Sequence, residues 1–382
     1  MAATIKYGDT KWAVKDGNTL GYNDENRFKP VPFDFTRNSI GTRVDRNGLI
    51  ETIGNNIPRI DFTDNTDGHL LLEPQSTNLI TYSEYFEDSS WSNASVGTTP
   101  TLEGGYTAPD GSNSAYKITN ANQDSFWYSS SVISANNSRT IWARTVSGTG
   151  TAQLTSHNSN TNNTFNLTET WQRFEVNGTT SGIGSTNFYA VDFRGSGTLT
   201  ELLIWGAQSE ALSYATSYIP TNGSTVTRAA ETCTNAGNST LINSTEGVLY
   251  AEISSFKNGG IGDRTISISD GSTQNAIQLF LHNTANRINF RLRSGGSLDV
   301  NISDFTFEQN QINKIACKYK SGDYALWING EERATSTSSS LPSGLSVLAF
   351  DDGSLYEFYG KVKAVAVFNT ALTDAELTEL TS

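Results

Sequence analysis

The sequence predicts an all-β protein built as two consecutive antiparallel β-sandwich or jelly-roll domains, with an N-terminal arm and a short C-terminal helix. Three observations lead there. Short segments with period-2 alternation recur along most of the chain, and Gly, Asn and Ser clusters separate them, as in strands joined by polar turns. Ser, Thr, Asn and Gly are abundant, whereas helix formers are thin. Hydrophobic residues make up only 36%, but seven Trp, 15 Tyr and 18 Phe supply large side chains for burial, which argues against disorder. A chain of 382 residues, at roughly 150 per domain, accommodates two or three domains.

Residues 1–32 carry isolated apolar side chains, Ile5, Trp12, Val14 and Leu20, too few for a core of their own. Such an arm is either a strand laid on a neighbour or a segment that docks on a larger assembly. The first module is expected over 33–228. Its leading segment places strands in TRVDRNGLIETI and HLLLEP around the Asn47-Gly48 hairpin signal. AYKIT, FWYSSSVI, TIWARTV, AQLTSH, WQRFEVNG, FYAVDF and LTELLIWGA follow as strands. FYAVDF and LLIWGA are apolar without interruption, which predicts central strands covered on both faces.

The stretch PTNGSTVTRAAETCTNAGNST has no apolar period and reads as a polar linker. A second module is expected over 229–382. It runs from GVLYAEISSF to YEFYGKVKAVAVF, with hairpin turns at SGD and NGEE. Helical character is confined to ALTDAELTEL, where Thr373 is the expected N-cap and Glu376, three residues on, completes a capping box.

Charge and composition exclude several function classes. The net charge of −13, without a Lys/Arg cluster, disfavours nucleic-acid binding. No run of about 18 apolar residues and no apolar signal core at the start are present, so neither a membrane span nor a secretory leader is expected, and the chain is expected to start as a soluble cytoplasmic product. Cys233 and Cys317 read as small core residues, and three scattered histidines build no recognisable zinc site with them. His69, His157 and His282 lack a GxSxG or Cys-His context and read as surface or edge residues.

Four stretches resemble the tail-fibre and minor structural proteins of tailed bacteriophages. FTRNSIGTRVDRNGLIETIGNNIPRIDF with LLLEPQSTNLITYSEYFEDSSW looks like the segment that introduces their carbohydrate-binding-like jelly rolls. TAPDGSNSAYKIT and TWQRFEV are similar to that jelly roll's strands, and IWGAQSEALSYATSYIPTNGSTVTRAA to its closing segment. NKIACKYKSGDYALWINGEE and YGKVKAVAVFNTALTDAELTELT resemble a laminin G-like, concanavalin A-like sandwich. The resemblance implies a virion structural protein made in the host bacterial cytoplasm, a fibre or spike subunit, homotrimeric and in contact with host surface polysaccharide. Other virion proteins are the expected partners of the N-terminal arm.

Sugar binding needs an aromatic face for the pyranose CH groups and amides or carboxylates for its hydroxyls. Trp127 and Tyr128 adjoin on one strand, so they point to opposite faces and only one can be core. Trp91 sits in a polar loop, with Asn93 and Asn122 as possible polar neighbours. Trp142, Trp171, Trp205 and Trp327 lie within strong strands and are expected in cores. In RINFRLR, Arg287, Arg291 and Arg293 share a face, suited to an acidic polysaccharide or a subunit interface. The many Asn-x-Ser/Thr triplets follow from composition.

Asp351-Asp352, and Asp61, Asp64 and Asp67 ahead of His69, are the acidic spots where calcium is conceivable, since Ca²⁺ takes about six to eight oxygen ligands. No other cofactor is implied. Glycoside hydrolysis would need two carboxyls facing each other about 5 to 9.5 Å apart, and no residue pattern marks such a pair. The reading is therefore a non-enzymatic fibre or spike subunit that binds glycan. Its alternatives are an architectural capsid decoration or head fibre and a glycan-degrading tailspike.

Overall fold

The computed structural model describes residues 2–9, 12–15, 18–19, 31–63, 65–94, 100–119, 125–128, 137–155, 164–177, 189–193, 197–353 and 355–382. They form antiparallel sheets and, among the described residues, one helix. The chain divides into two compact units. One is Ser39–Thr52 with Gln75–Ala229; the other is Met1–Asn38, Ile53–Pro74 and Ala230–Ser382.

The unit around Gln75–Ala229 holds two five-stranded sheets. The first runs in the order Trp91–Ala94, Ser125–Tyr128, Tyr189–Asp192, Gly150–Leu154 and Thr164–Leu167. The second runs Thr101–Tyr106, Ala115–Thr119, Glu201–Glu210, Ser138–Arg144 and Gln172–Asn177. Tyr189–Asp192 and Glu201–Glu210 are each the middle strand and are buried almost throughout, as their unbroken apolar runs predicted. Ile118, Ile141, Leu154, Val191 and Ile204 are among the residues that form the core. Strand pairing on both sides of the middle strand satisfies the backbone, and alternate side chains then meet cover on both faces. The Asn47-Gly48 hairpin forms between Gly41–Val44 and Ile50–Ile53, with Gly48 at φ 81°.

In the other unit, an eight-stranded sheet has Glu246–Ser254 and Gly360–Phe368 side by side at its centre, and a five-stranded sheet runs Ser297–Asp304, Ile288–Ser294, Ala276–Leu281, Arg264–Ser269 and Val347–Ala349. Their apolar faces share one core, including Leu249, Ile253, Ile268, Leu279, Phe290, Ile315 and Val365. The NGEE turn has Asn329 at φ 50° and Gly330 at φ 85°, the left-handed pair that a two-residue hairpin requires. Cys233 and Cys317 are buried free thiols, and burial pushes both thiol pKa values up.

At the periphery, one open alternative is decided and one expected boundary differs. Residues 5–8 are no free arm: Ile5–Gly8 pairs with Val367–Ala364 of Gly360–Phe368, and Ile5 and Tyr7 are buried. Of the two readings of this segment, the strand laid on a neighbour describes these four residues. The leading segment likewise adds Arg59–Asp61 and His69–Leu72 to the same sheet, so these residues join the C-terminal unit and not the module expected over 33–228.

The supposed linker is also structured. Val226–Arg228 pairs with Ser76–Asn78, and Thr232–Thr234 with Asp34–Thr36. It lacks an apolar period because polar side chains hold it. Glu231, fully buried, accepts from Arg37 Nη1 at 2.8 Å, Arg59 Nε at 2.9 Å, Arg59 Nη2 at 2.6 Å and the Glu73 amide at 2.8 Å. Arg59 also donates to Glu73 Oε2 at 2.7 Å. Burial disfavours the Arg59 guanidinium, but Glu231 and Glu73 outweigh it and push its pKa up.

The helix spans Asp374–Thr381 with the expected capping box: the Thr373 hydroxyl accepts from the Glu376 amide, and the Thr373 amide donates to Glu376 Oε2 at 2.9 Å. Thr373→Ala is expected to weaken the cap by roughly 1 kcal/mol, seen as faster amide exchange in the first turn. The Thr373 amide and hydroxyl bonds hold the Glu376 carboxyl below its ordinary pKa. The contribution is therefore present above the unfolded carboxylate pKa and is lost as pH falls through the lower folded value. Amide exchange that is equally protected in acid and at neutral pH would contradict it.

Candidate functional site: an arginine and aromatic face

The outward face of the five-stranded sheet in the C-terminal unit is assembled by register. Arg291 pairs with Gln278 on one side and Asn301 on the other, and Gln278 pairs with Ser267. One step along, Asn289 lies between Phe280 and Ser303, and Phe280 pairs with Thr265. Arg293 opposes Ala276. Directly opposed residues of an antiparallel pair share a face, so these side chains form one surface. The intervening Ile266, Ile268, Ile277, Leu279, Phe290 and Leu292 point into the core. Alternation thus turns RINFRLR into an apolar inner edge and a basic outer one, with Arg291 and Arg293 about 7 Å apart along the strand.

The Arg291 guanidinium lies over the Phe280 ring, 3.3 Å from its centroid, and Tyr356 meets the same ring edge-on at 5.9 Å. Arg287 sits 5.2 Å from the centroid of Phe305, which is 64% exposed. Asn289 donates to Asn301 Oδ1 at 2.8 Å and Ser303 Oγ at 2.6 Å. Partial burial pushes the Arg291 pKa down; Asp263 opposes this, while Arg293 and Arg287 add to it. The cationic form is thus crowded by like charge, and an incoming anion relieves that crowding.

Several buried polar atoms on this surface have no hydrogen-bond partner among the described residues: Thr265 Oγ1, Ser267 Oγ, Asn289 Oδ1, and Nε of Arg287 and Arg291. Buried polar groups are ordinarily paired with protein or water; Thr265, Ser267 and Asn289 are fully buried, so their unfilled capacity is of the kind an enclosed water satisfies. Chemically, the face offers planar guanidinium donors for a carboxylate or sulfate, and the exposed Phe305 ring for an apolar sugar face, while Phe280 lies buried under Arg291.

The other predicted site residues fare differently. Trp91 is not exposed but 6% accessible. It stacks on Phe126 with centroids 5.1 Å apart and planes at 11°, and donates Nε1 to the Tyr82 carbonyl at 3.0 Å. The polar sequence around it conceals a strand whose first residue points into the core. Tyr128 is buried as well, its hydroxyl 2.5 Å from Thr81 Oγ1, so it is the core member of its pair and no sugar platform. Asn122 lies outside the described residues, as do the side chains of Asn93 and Trp127. Trp205 and Trp327 are buried as expected, whereas Trp142 and Trp171 are only partly buried.

The acidic spots do not converge. Asp351 accepts from the Gly353 amide at 2.8 Å and Asp352 from the Leu355 amide at 3.0 Å, so both brace a turn. Asp61 is buried, 3.4 Å from His69 Nε2, and accepts from the Thr63 amide. Asp64 and His157 are outside the described residues. Among the described residues no three His, Cys, Asp or Glu are grouped to hold a metal ion, so the calcium expectation at Asp351 and Asp352 finds no ligand cluster.

Sequence reasoning found the arginines but missed Phe280, Asn289, Thr265 and Ser267. AIQLFLH is apolar on both faces at Leu279 and Phe280, so only the pairing with Asn289 tells which of the two points outward.

No curated protein matches the chain. Solved structures similar to it include the CBM40 of Ruminococcus gnavus IT-sialidase, at 19% identity over 39% of this chain and 94% of that one, TM-score 0.33. Domain 4 of AbnA, a GH43 extracellular arabinanase from Geobacillus stearothermophilus, is similar at 14% identity over 44% of this chain and 81% of that one, TM-score 0.33. The NanB sialidase of Streptococcus pneumoniae is similar at 17% identity over 37% of this chain and 25% of that one, TM-score 0.32. Residues 256–378 match the family model of the concanavalin A-like lectin/glucanases superfamily. Strands Arg264–Ser269 to Val347–Ala349, and with them the arginine face, therefore lie within a concanavalin A-like domain.

Proposed function

We propose that the protein binds an acidic polysaccharide through the outward face of its concanavalin A-like domain. One observation carries this reading: Arg287, Arg291 and Arg293 gather on one sheet face, with the exposed Phe305 ring beside Arg287. In a chain of net charge −13, a local cluster of cations draws an anionic ligand to one place. The matched family's description includes lectins, which supports a sugar ligand.

The phage resemblance extends the reading: a fibre or spike subunit on a virion, gripping host surface polysaccharide and held to other virion proteins. In a homotrimer, three weak sites would act together, since linked copies make later contacts intramolecular. The face binds without cleaving, because its chemistry is cationic and glycosidases use opposed carboxyls.

The test is titration of the full chain with hyaluronate, with neutral dextran beside it. Hyaluronate is expected to bind and dextran not to bind at this face. Arg291→Ala should lower affinity about ten- to hundredfold, as expected for loss of a charge-assisted contact. Unchanged affinity in an Arg291→Ala/Arg293→Ala variant, or loss of subunit association in place of sugar binding, would defeat the proposal. New reducing ends during incubation would show cleavage instead.

A further inference from the structure

The unit around Gln75–Ala229 contains a cavity of about 500 Å³, within the range of small-molecule sites. Three chain segments distant in sequence build it. Glu84 and Tyr85 come from the loop after Ser76–Asn78, Asn113 and Tyr116 from the hairpin of Thr101–Tyr106 and Ala115–Thr119, and Thr221 and Asn222 from the closing segment. The hairpin carries a register shift between Gly104 and Tyr106, with Gly105 at φ 95°. A Cβ at Gly104 would come 3.1 Å from the Tyr116 ring, so glycine there lets the ring lie against the strand.

Glu84 is fixed within this cavity. Its carboxylate accepts from the Tyr218 hydroxyl at 2.8 Å and from Ser114 Oγ at 3.4 Å. Tyr218 is also 2.7 Å from Ser83 Oγ, and Ser114 accepts from Trp205 Nε1 at 2.8 Å. A carboxylate offers about four acceptor positions, so these two bonds leave capacity toward the cavity. Burial, with a smaller push from Asp110, raises the Glu84 pKa, against the Tyr218 and Ser114 bonds. No Lys or Arg pairs with Glu84 among the described residues. Tyr85 is 48% exposed, and Tyr82 meets its ring edge-on at 6.1 Å.

We infer that this cavity is a second saccharide site, selective for a neutral pyranose. The rings of Tyr85 and Tyr116 would take the apolar CH face, and Glu84 would accept from vicinal hydroxyls. Asn113, Thr221 and Asn222 would meet the remaining hydroxyls. A uronic acid is rejected, because its carboxylate would be placed against Glu84 in a half-buried setting. The site belongs to a different unit from the arginine face and prefers uncharged sugar, so either site can fail without the other.

Saturation-transfer NMR on the full chain decides it, with the methyl pyranosides of glucose, galactose and mannose, N-acetylglucosamine, and methyl glucuronide as probes. At least one neutral pyranoside should receive saturation and the glucuronide should not. Glu84→Gln should weaken the neutral ligand at least about tenfold. Should that variant fold poorly, Tyr85→Ala, which removes an exposed ring, should weaken binding with an unchanged melting curve. Arg291→Ala should leave this signal intact. The inference is overturned if no neutral pyranoside binds, if the glucuronide binds as well, or if binding persists in both variants.

Discussion

Replacing Glu231 by alanine is expected to lower the unfolding free energy of the C-terminal unit by about 3 to 5 kcal/mol, the cost of breaking a buried ion pair from one side. Glu231 joins Arg37 and Arg59, and all three side chains are fully buried. Without it, Arg37 loses its 2.8 Å carboxylate contact, and Arg59 loses its two bonds to Glu231 while its bond to Glu73 remains. The Glu73 amide also loses its acceptor. Two guanidinium groups would then be held out of water with one carboxylate between them. Urea denaturation of wild type and variant measures the difference. A loss below about 1 kcal/mol would mean that the network behaves like a solvated surface pair.

Trp91→Ala is expected to cost about 3 to 5 kcal/mol in the other unit, as for large aromatic deletions from cores. The indole packs on Phe126 at 5.1 Å, Phe86 at 4.9 Å, Tyr128 at 5.0 Å and Tyr189 at 5.9 Å, so its removal leaves a void amid rings. It also strands the Tyr82 carbonyl that accepts its N–H. Thermal melting followed by near-ultraviolet dichroism should report the loss. At a temperature where the variant remains folded, its affinity for hyaluronate should equal that of wild type, because Trp91 supports a core and touches no ligand. Reduced affinity without reduced stability would return Trp91 to the role of a sugar platform.

These two residues mark where sequence reading stops, beyond the strands it could place. Strand positions were legible because alternation and turn chemistry are local. Asn47-Gly48, Asn329-Gly330 and the Thr373 capping box each act over a few residues, and each forms as read. Trp91 was misjudged because its neighbours in sequence are polar while its neighbours in space are Phe86, Phe126, Tyr128 and Tyr189. The stretch around Glu231 was misread as a linker because apolar periodicity detects hydrophobic burial alone. A segment held by Arg37, Arg59 and Glu73 gives no such signal.

The candidate site was half legible for the same reason. That Arg291 and Arg293 share a face follows from period two within one strand. That Phe280, Asn289, Ser267 and Thr265 join them follows from cross-strand register, which no single strand encodes. The cavity beside Glu84 left no trace in the sequence at all, since its walls come from residues near 84, 113 and 221.

The amino-acid sequence alone therefore determined the β character of the chain, the places of most strands and turns, the terminal helix and the concentration of arginines on one strand. Only the tertiary structure decided which aromatic rings are core, which edge strands the N-terminal residues supply, and which side chains meet around Arg291 and Glu84. Propensity, alternation and capping act between neighbours a few residues apart, whereas burial and site geometry depend on contacts between segments that chain closure brings together.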